Sequence, residues 1–379
     1  MPGLINTHTH APMVLYRGLA DDLALMEWLE KYIFPAEAKT VTPAFVRVGT
    51  RLAALEMIRS GTTLFADMYY FEEEVAEAVR EAGIRGVLGQ TIIQFPVPDA
   101  KTPEEGLERT KAFLTRFAGD TLVTPAVAPH SMYTLSQATL IAARDLALEH
   151  EAPLLIHLAE TQDEIRMAQE RYRQRPVGFL DGIKFWTPRT LAAHGVWVNA
   201  DEVALLATRG VGVSHNPESN MKLASGTAPV PAYLKAGVAL GLGTDGAASN
   251  NDLDMFETMR QAAFLHKLVS NDPRVVSARE ALAMATIGGA RALGLQARLG
   301  SLEPGKYADL IVVRADRARQ TPMYDPVSHL VYTTHGDDVV TTIVHGRVLM
   351  RDGVVRTLDE AQVLQDARAA AEQVRKAVQ

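Results

Sequence analysis

The sequence predicts a (β/α)8 barrel followed by a small β-domain. Three observations carry this. Eight short apolar runs alternate with longer amphipathic ones, polar residues of metal-binding type stand where several of those runs end, and the pattern changes near residue 300. Strand–helix repetition implies parallel strands joined by crossovers, and eight units suit a closed barrel, although an open doubly wound sheet shares the local signature. The strand candidates are Leu4–Asn6, Thr62–Asp67, Gly86–Thr91, Leu122–Ala128, Ala152–His157, Thr190–Ala193, Val211–Ser214 and Val238–Gly241.

Helical runs lie between them, among them Pro43–Arg59, Glu72–Glu81, Glu104–Phe117 and Gln137–Glu149. Thr42-Pro43 reads as a cap with proline in the first turn. Gly61 and Gly83 fall just past helix ends, where a positive φ is often needed. From residue 301 the chain changes character. Leu310-Ile311-Val312-Val313, Val339–Val344 and Val348–Met350 read as antiparallel strands, with Asp352-Gly353 as a hairpin turn. Asp359–Val378 reads as a closing surface helix. The expected division is therefore 1–300 for the barrel and 301–379 for the β-domain and terminal helix.

Composition narrows the function. Of 379 residues, 47% are hydrophobic and 22% charged, an ordinary globular balance. The formal net charge of −7 argues against a surface that coats nucleic acid. With no cysteine, disulfides, thiolate nucleophiles, iron–sulfur clusters and Cys-ligated zinc are excluded. No run of 18 apolar residues predicts a membrane span, and Met1–Asn6 has neither a basic region nor a signal core, so a cytoplasmic protein is expected.

The histidines carry the chemical signal. His8 and His10 flank Thr9 after a short apolar run, and residues i and i+2 of an extended chain point to one side. His157 ends an apolar strand, with Glu160 three residues on. His194 ends the next strand candidate, and Asp245 follows the last. In a barrel, the C-terminal ends of the strands share one mouth. Four separate placements there make coincidence a poor explanation.

These segments resemble the amidohydrolase superfamily, in particular its methylthioadenosine/S-adenosylhomocysteine deaminase branch. The resemblance covers essentially the whole chain. It runs through Pro2–His10, Ile156–Thr161, Ala192–His194, Ser214–Leu223, Gly243–Asn250 and Gly305–Leu310. It implies an amidohydrolase-type barrel, with His8, His10, His157 and Asp245 as metal ligands. Three imidazoles and a carboxylate suit Zn²⁺, with Fe²⁺ as the alternative. The fourth strand ends in Ala128-Pro129-His130. No lysine stands there or at the end of the fifth strand, so one ion is expected rather than a lysine-bridged pair.

The resemblance implies hydrolytic deamination of a 6-aminopurine nucleoside by metal-activated hydroxide. Glu160 would shuttle protons, His194 would orient the attacking oxygen, and Asp245 would both ligate and accept a proton. Trp28, Glu37, Gln90, His130 and Ser249 are the expected substrate contacts, while Asn216 and Asn220 would pin the seventh loop. Guanine, a pterin or an s-triazine are alternative substrates for the same chemistry, and a catalytically silent binding barrel is the alternative of another class. The cysteine-dependent signature of another deaminase fold is absent.

Two departures from the family pattern carry expectations of their own. Gln90 stands where some members place an arginine, and Lys101 is the only cation of the following loop. That favours neutral nucleosides over one with a carboxylate-bearing tail. The first barrel motif also begins at Met1, whereas relatives carry several dozen residues before it. An incomplete β-domain is thus expected: either the chain is truncated, or its edges are covered by a homo-oligomer, dimer or tetramer.

Overall fold

A computed structural model describes residues 1–378. Eight parallel strands follow one another around a barrel in chain order. They are β1 (Leu4–Thr9), β2 (Thr62–Tyr69), β3 (Arg85–Ile92), β4 (Val123–Pro129), β5 (Leu154–Leu158), β6 (Thr190–His194), β7 (Gly212–His215) and β8 (Leu240–Leu242). The seam between the last strand and the first is joined through Thr7 Oγ1, which donates to the Leu242 carbonyl at 2.9 Å. Just beyond β8, the Asp245 amide donates to the His8 carbonyl at 2.9 Å. The barrel, rather than the open sheet, is therefore the architecture.

Alternation along each strand divides two apolar layers. Ile5, Leu64, Ala66, Met68, Val87, Ala126, Leu155 and Leu191 form one cluster, inside the barrel. Their chain neighbours Leu4, Phe65, Leu88, Val127, Leu154 and Ala192 belong to the larger cluster between strands and helices. Strands buried on both faces read as continuous apolar runs, which is why the sequence shows so little alternation there.

The helix Pro43–Ser60 is capped by Thr42, whose hydroxyl accepts from the Phe45 amide at 3.2 Å. It stops at Gly61, in the left-handed conformation at φ +89°. A second sheet of four antiparallel strands comprises β9 (Leu310–Val313), β10 (Val339–Val344), β11 (Arg347–Arg351) and β12 (Val354–Val355). Asp352-Gly353 turns the last hairpin with φ +54° and +75°. The Met1 α-amino group donates to the Ile311 carbonyl of β9, and the Ile311 amide donates to the Met1 carbonyl, both at 3.0 Å.

A buried ion pair ties the barrel to this sheet. Arg85 of β3 donates to both oxygens of Asp309, at 2.6 and 3.2 Å, and its guanidinium lies 4.4 Å from the Tyr307 ring centre. No helix among the described residues is long and apolar enough to cross a membrane.

Candidate active site

The mouth of the barrel gathers polar residues from strand ends, among them those of β1, β5, β6 and β8. His8 and His10 come from β1, whose register against β2 shifts between Asn6 and Thr9. That shift matters because both histidines are out of phase with the inward-facing Ile5. His157 follows Leu155 by two residues and needs no such device. At the ends of β6 and β8, His194 and Asp245 have left-handed backbones, with φ +73° and +63°. Neither residue is glycine, so both carry a conformational cost that the surrounding fold must hold in place.

Four donors converge. Asp245 Oδ1 lies 3.3 Å from His8 Nε2 and 3.4 Å from His10 Nε2, and His157 Nε2 lies 3.4 Å from His10 Nε2. The far ring nitrogens are already committed. His10 Nδ1 meets the Met68 carbonyl at 2.6 Å, and His157 Nδ1 meets the His130 carbonyl at 2.8 Å. A carbonyl only accepts, so each Nδ1 carries the proton and each Nε2 offers a lone pair to the centre. Nothing hydrogen-bonds to the buried His8 Nε2. Burial holds His8 down to about 4, and His10 and His157 below the ordinary imidazole range, so these rings are neutral. Burial alone would raise Asp245, but the close approach of His8, with His194 and His10 around it, outweighs burial and holds the carboxyl well below its usual range. Neutral imidazoles around one carboxylate, with an orphaned nitrogen pointing inward, fit a divalent ion.

Glu160 and His194 form the next pair, with Oε2 and Nε2 3.7 Å apart. Burial raises the Glu160 carboxyl above its ordinary range, against the opposing pull of His194. For His194, burial opposes protonation, but Glu160, Asp245 and the Asn220 amide prevail and raise it. Its Nδ1 meets Asn220 Oδ1 at 3.0 Å. His194 also shares a convergent group with His8 and His157, so it faces the ion site as well as Glu160. Ser219 and Ser249 donate to the second oxygen of Asp245 at 2.7 and 2.9 Å.

A cleft of about 650 Å³, mouth included, opens above these groups. Trp28, Glu37, His130 and Ser249 line it, as does Thr91. Leu25, Trp28, Leu29, Ile33 and Phe34, from the segment after β1, form an apolar wall. Glu37 is buried in this wall and accepts from the Tyr69 hydroxyl at 2.6 Å. Burial pushes its carboxyl up to about 7, against hydrogen bonds from Tyr69 and Tyr70.

Gln90 is the exception. It does not line the cleft. Its Nε2 donates to Asp99 Oδ2 at 2.7 Å, and its Oε1 accepts from the Glu72 amide at 3.4 Å. Along β3, Val87 belongs to the interior cluster and Leu88 to the outer one. Thr91 shares the inward phase, so Gln90 faces the helices. The expectation that Gln90 meets substrate therefore fails, and the tail preference drawn from it loses its basis.

Tyr69 and Tyr70 were not singled out in the sequence, although they follow the second strand candidate by two and three residues and line the cleft. Their position just past that strand candidate was the available signal.

Fold and site together define a metal-dependent hydrolase with its centre at the barrel mouth. The model of the amidohydrolase family matches residues 1–349, and the chain belongs to that family. A 5-methylthioadenosine/S-adenosylhomocysteine deaminase of Syntrophobacter fumaroxidans is 50% identical over 368 residues, covering 97% of this chain and 84% of the relative. A 5'-deoxyadenosine deaminase of Methanosarcina mazei is 48% identical over 376 residues, covering 99% and 86%. Among solved structures, an adenosine deaminase from Xanthomonas campestris with bound zinc superposes with a TM-score of 0.98 at 40% identity, covering 99% of this chain and 86% of that one.

Proposed function

We propose that this protein hydrolytically deaminates adenosine-type nucleosides, releasing ammonia and the inosine analogue. The observation that carries the reading is the pairing of Glu160 with His194 beside the ligand cluster, at the floor of a cleft large enough for a nucleoside. His8, His10, His157 and Asp245 would hold one divalent ion, for which zinc is the best match. Bound there, such an ion acts as a Lewis acid and acidifies water toward neutral pH.

The residues of the chain divide the remaining work. Asp245 accepts the proton of the attacking water as its oxygen adds to C6 of the purine. His194, held by Asn220, orients that oxygen. Glu160, whose carboxyl is raised by burial, donates a proton to N1 and takes back the proton of the new C6 hydroxyl, while the proton held by Asp245 passes to the departing amine as the C6–N bond breaks. One water is consumed and one ammonia leaves. Trp28 and the apolar wall take the purine and sugar faces, Glu37 takes the ribose hydroxyls, and His130 and Ser249 flank the ring.

Pairing of chains is supported by an apolar face on the helix Met255–Ser270, where Phe264, Leu268 and Val269 are exposed, Leu268 to 80%. Sedimentation of the intact protein tests it. The activity itself is tested by ammonia release from adenosine, 5′-deoxyadenosine, methylthioadenosine and S-adenosylhomocysteine, beside guanine and an s-triazine. Turnover confined to the nucleosides and lost on chelation is expected. Release from guanine or the triazine alone refutes the assignment.

A further inference from the structure

Several helices of this chain open on a small polar residue with glutamate three positions later. At Asn199–Glu202 and Ser277–Glu280 the pattern closes as a reciprocal box, each glutamate accepting from the amide of its own capping residue. At two others the glutamate reaches one residue further back. Glu105 accepts from the Lys101 amide at 2.5 Å, ahead of Thr102, and this pair is exposed. Glu164 likewise passes over Thr161, which caps the helix Gln162–Tyr172, and its Oε2 accepts from the Glu160 amide at 3.0 Å. Unlike Glu105, Glu164 is buried. Burial pushes its carboxyl up to about 7, against the pull of the Ala159 and Glu160 amides. Keeping a carboxyl out of water is a cost that helix capping alone does not call for.

What this carboxyl holds is one peptide group, the link between Ala159 and Glu160. Its N–H donates to Glu164. Its carbonyl accepts from the Val196 and Trp197 amides at 3.1 and 2.8 Å, in the loop that follows His194. One residue earlier, the Leu158 carbonyl accepts from the Gly195 amide at 2.9 Å. Ala159 is in the left-handed region at φ +49°, which the surroundings must enforce on a residue with a side chain. A planar peptide gripped at both ends cannot rotate. Rotation would change ψ of Ala159 and φ of Glu160, and would swing the Glu160 side chain away from His194.

We propose that Glu164 is a positioning residue for the reaction: it locks the Ala159–Glu160 peptide against the loop after β6, and so aims the Glu160 carboxyl in register with His194. Glu164 does not line the cleft, so it acts through Glu160 and not on substrate. The inference rests on the proton-transfer role given to Glu160 above.

Glu164→Met keeps the reach of the side chain and removes the acceptor. The single-turnover rate of ammonia release should fall about 10- to 100-fold, the scale of a displacement of about 1 Å at a reacting group. The nucleoside KM should stay within about threefold and the ion should be retained, since neither depends on this peptide. Glu164→Gln offers an amide oxygen at the same reach and should recover most of the rate. Glu164→Asp keeps the charge but falls a methylene short, and should recover less. A double substitution separates positioning from a merely structural role. Once Glu160 is already glutamine, Glu164→Met should cost less than about threefold, whereas a structural defect multiplies the two losses. Full multiplication, or a Glu164→Met rate within about threefold of wild type, overturns the proposal. Should Glu164→Met not fold, the rates of the Gln and Asp variants decide, and Asp above Gln overturns it. Near-wild-type turnover by Glu160→Gln overturns instead the role of Glu160 on which the positioning rests.

Discussion

Replacing Glu160 by glutamine keeps the volume of the side chain and removes its titratable proton. The nearest charged neighbour is His194 Nε2 at 3.7 Å, beyond hydrogen-bond distance, so little local structure depends on the charge. The Glu160 backbone amide donates to Glu164 Oε2 at 3.0 Å, a contact the substitution leaves in place. Glu160 also lies outside the four convergent donors. Metal content and melting temperature should therefore stay at the wild-type level. Catalysis should not: positioned proton transfer contributes about 10²–10⁴-fold, or roughly 3–5 kcal/mol of barrier. Single-turnover ammonia release gives the chemical step, and elemental analysis of the same sample gives the metal. A variant that holds its ion and turns over within about threefold of wild type, against the loss of at least about 10² expected, removes Glu160 from the mechanism.

Four further outcomes are expected. Asn220→Ala should reduce kcat by about 10- to 100-fold with the ion retained, because His194 loses the acceptor that fixes its ring; an unchanged kcat refutes that positioning role. Chelation should lower the melting temperature as well as abolish ammonia release, and added Zn²⁺ should restore both; a melt indifferent to chelation means the ligand cluster does not hold an ion in the folded state. Glu37, pushed up to about 7, is mostly protonated below that pH and ionised above it, so the KM for nucleosides should titrate near neutrality and flatten in Glu37→Gln. Because this carboxyl is raised from its unfolded value, its contribution to stability should diminish as pH climbs from about 4.5 to 7, and denaturant titrations of both proteins check the sign. Asp309→Asn leaves the Arg85 guanidinium buried without its counter-charge and should cost about 3–5 kcal/mol in the same denaturant assay; a loss under about 1 kcal/mol shows that the pair is dispensable.

The barrel was legible because each of its strands is short, apolar and followed by a helix with recognisable end signals. Thr42 before Pro43 and Gly61 after Ser60 are examples in which local chemistry dictates the boundary. The convergence of His8, His10, His157 and Asp245 was legible for a related reason: a histidine or aspartate ending an apolar run has few purposes in a barrel interior. Strand phase was harder to read. Gln90 and Thr91 are adjacent, and which of them faces the cleft is decided by the inward phase of Val87 further back along β3. Backbone shape was out of reach, since nothing in the residue types of His194 or Asp245 announces a left-handed φ.

The ligand cluster straddles the seam where the barrel closes. His8 and His10 belong to the first strand, Asp245 follows the last, and the Asp245 amide is bonded to the His8 carbonyl across that join. A chain that has synthesised β1 through β7 therefore lacks one side of the coordination sphere. An ion held by these residues would act as a latch on the closed form, its escape coupled to the parting of the first and last strands. Isotopic zinc exchange should accordingly keep pace with deuterium uptake at the Asp245 amide, and both should slow together in the presence of a bound nucleoside.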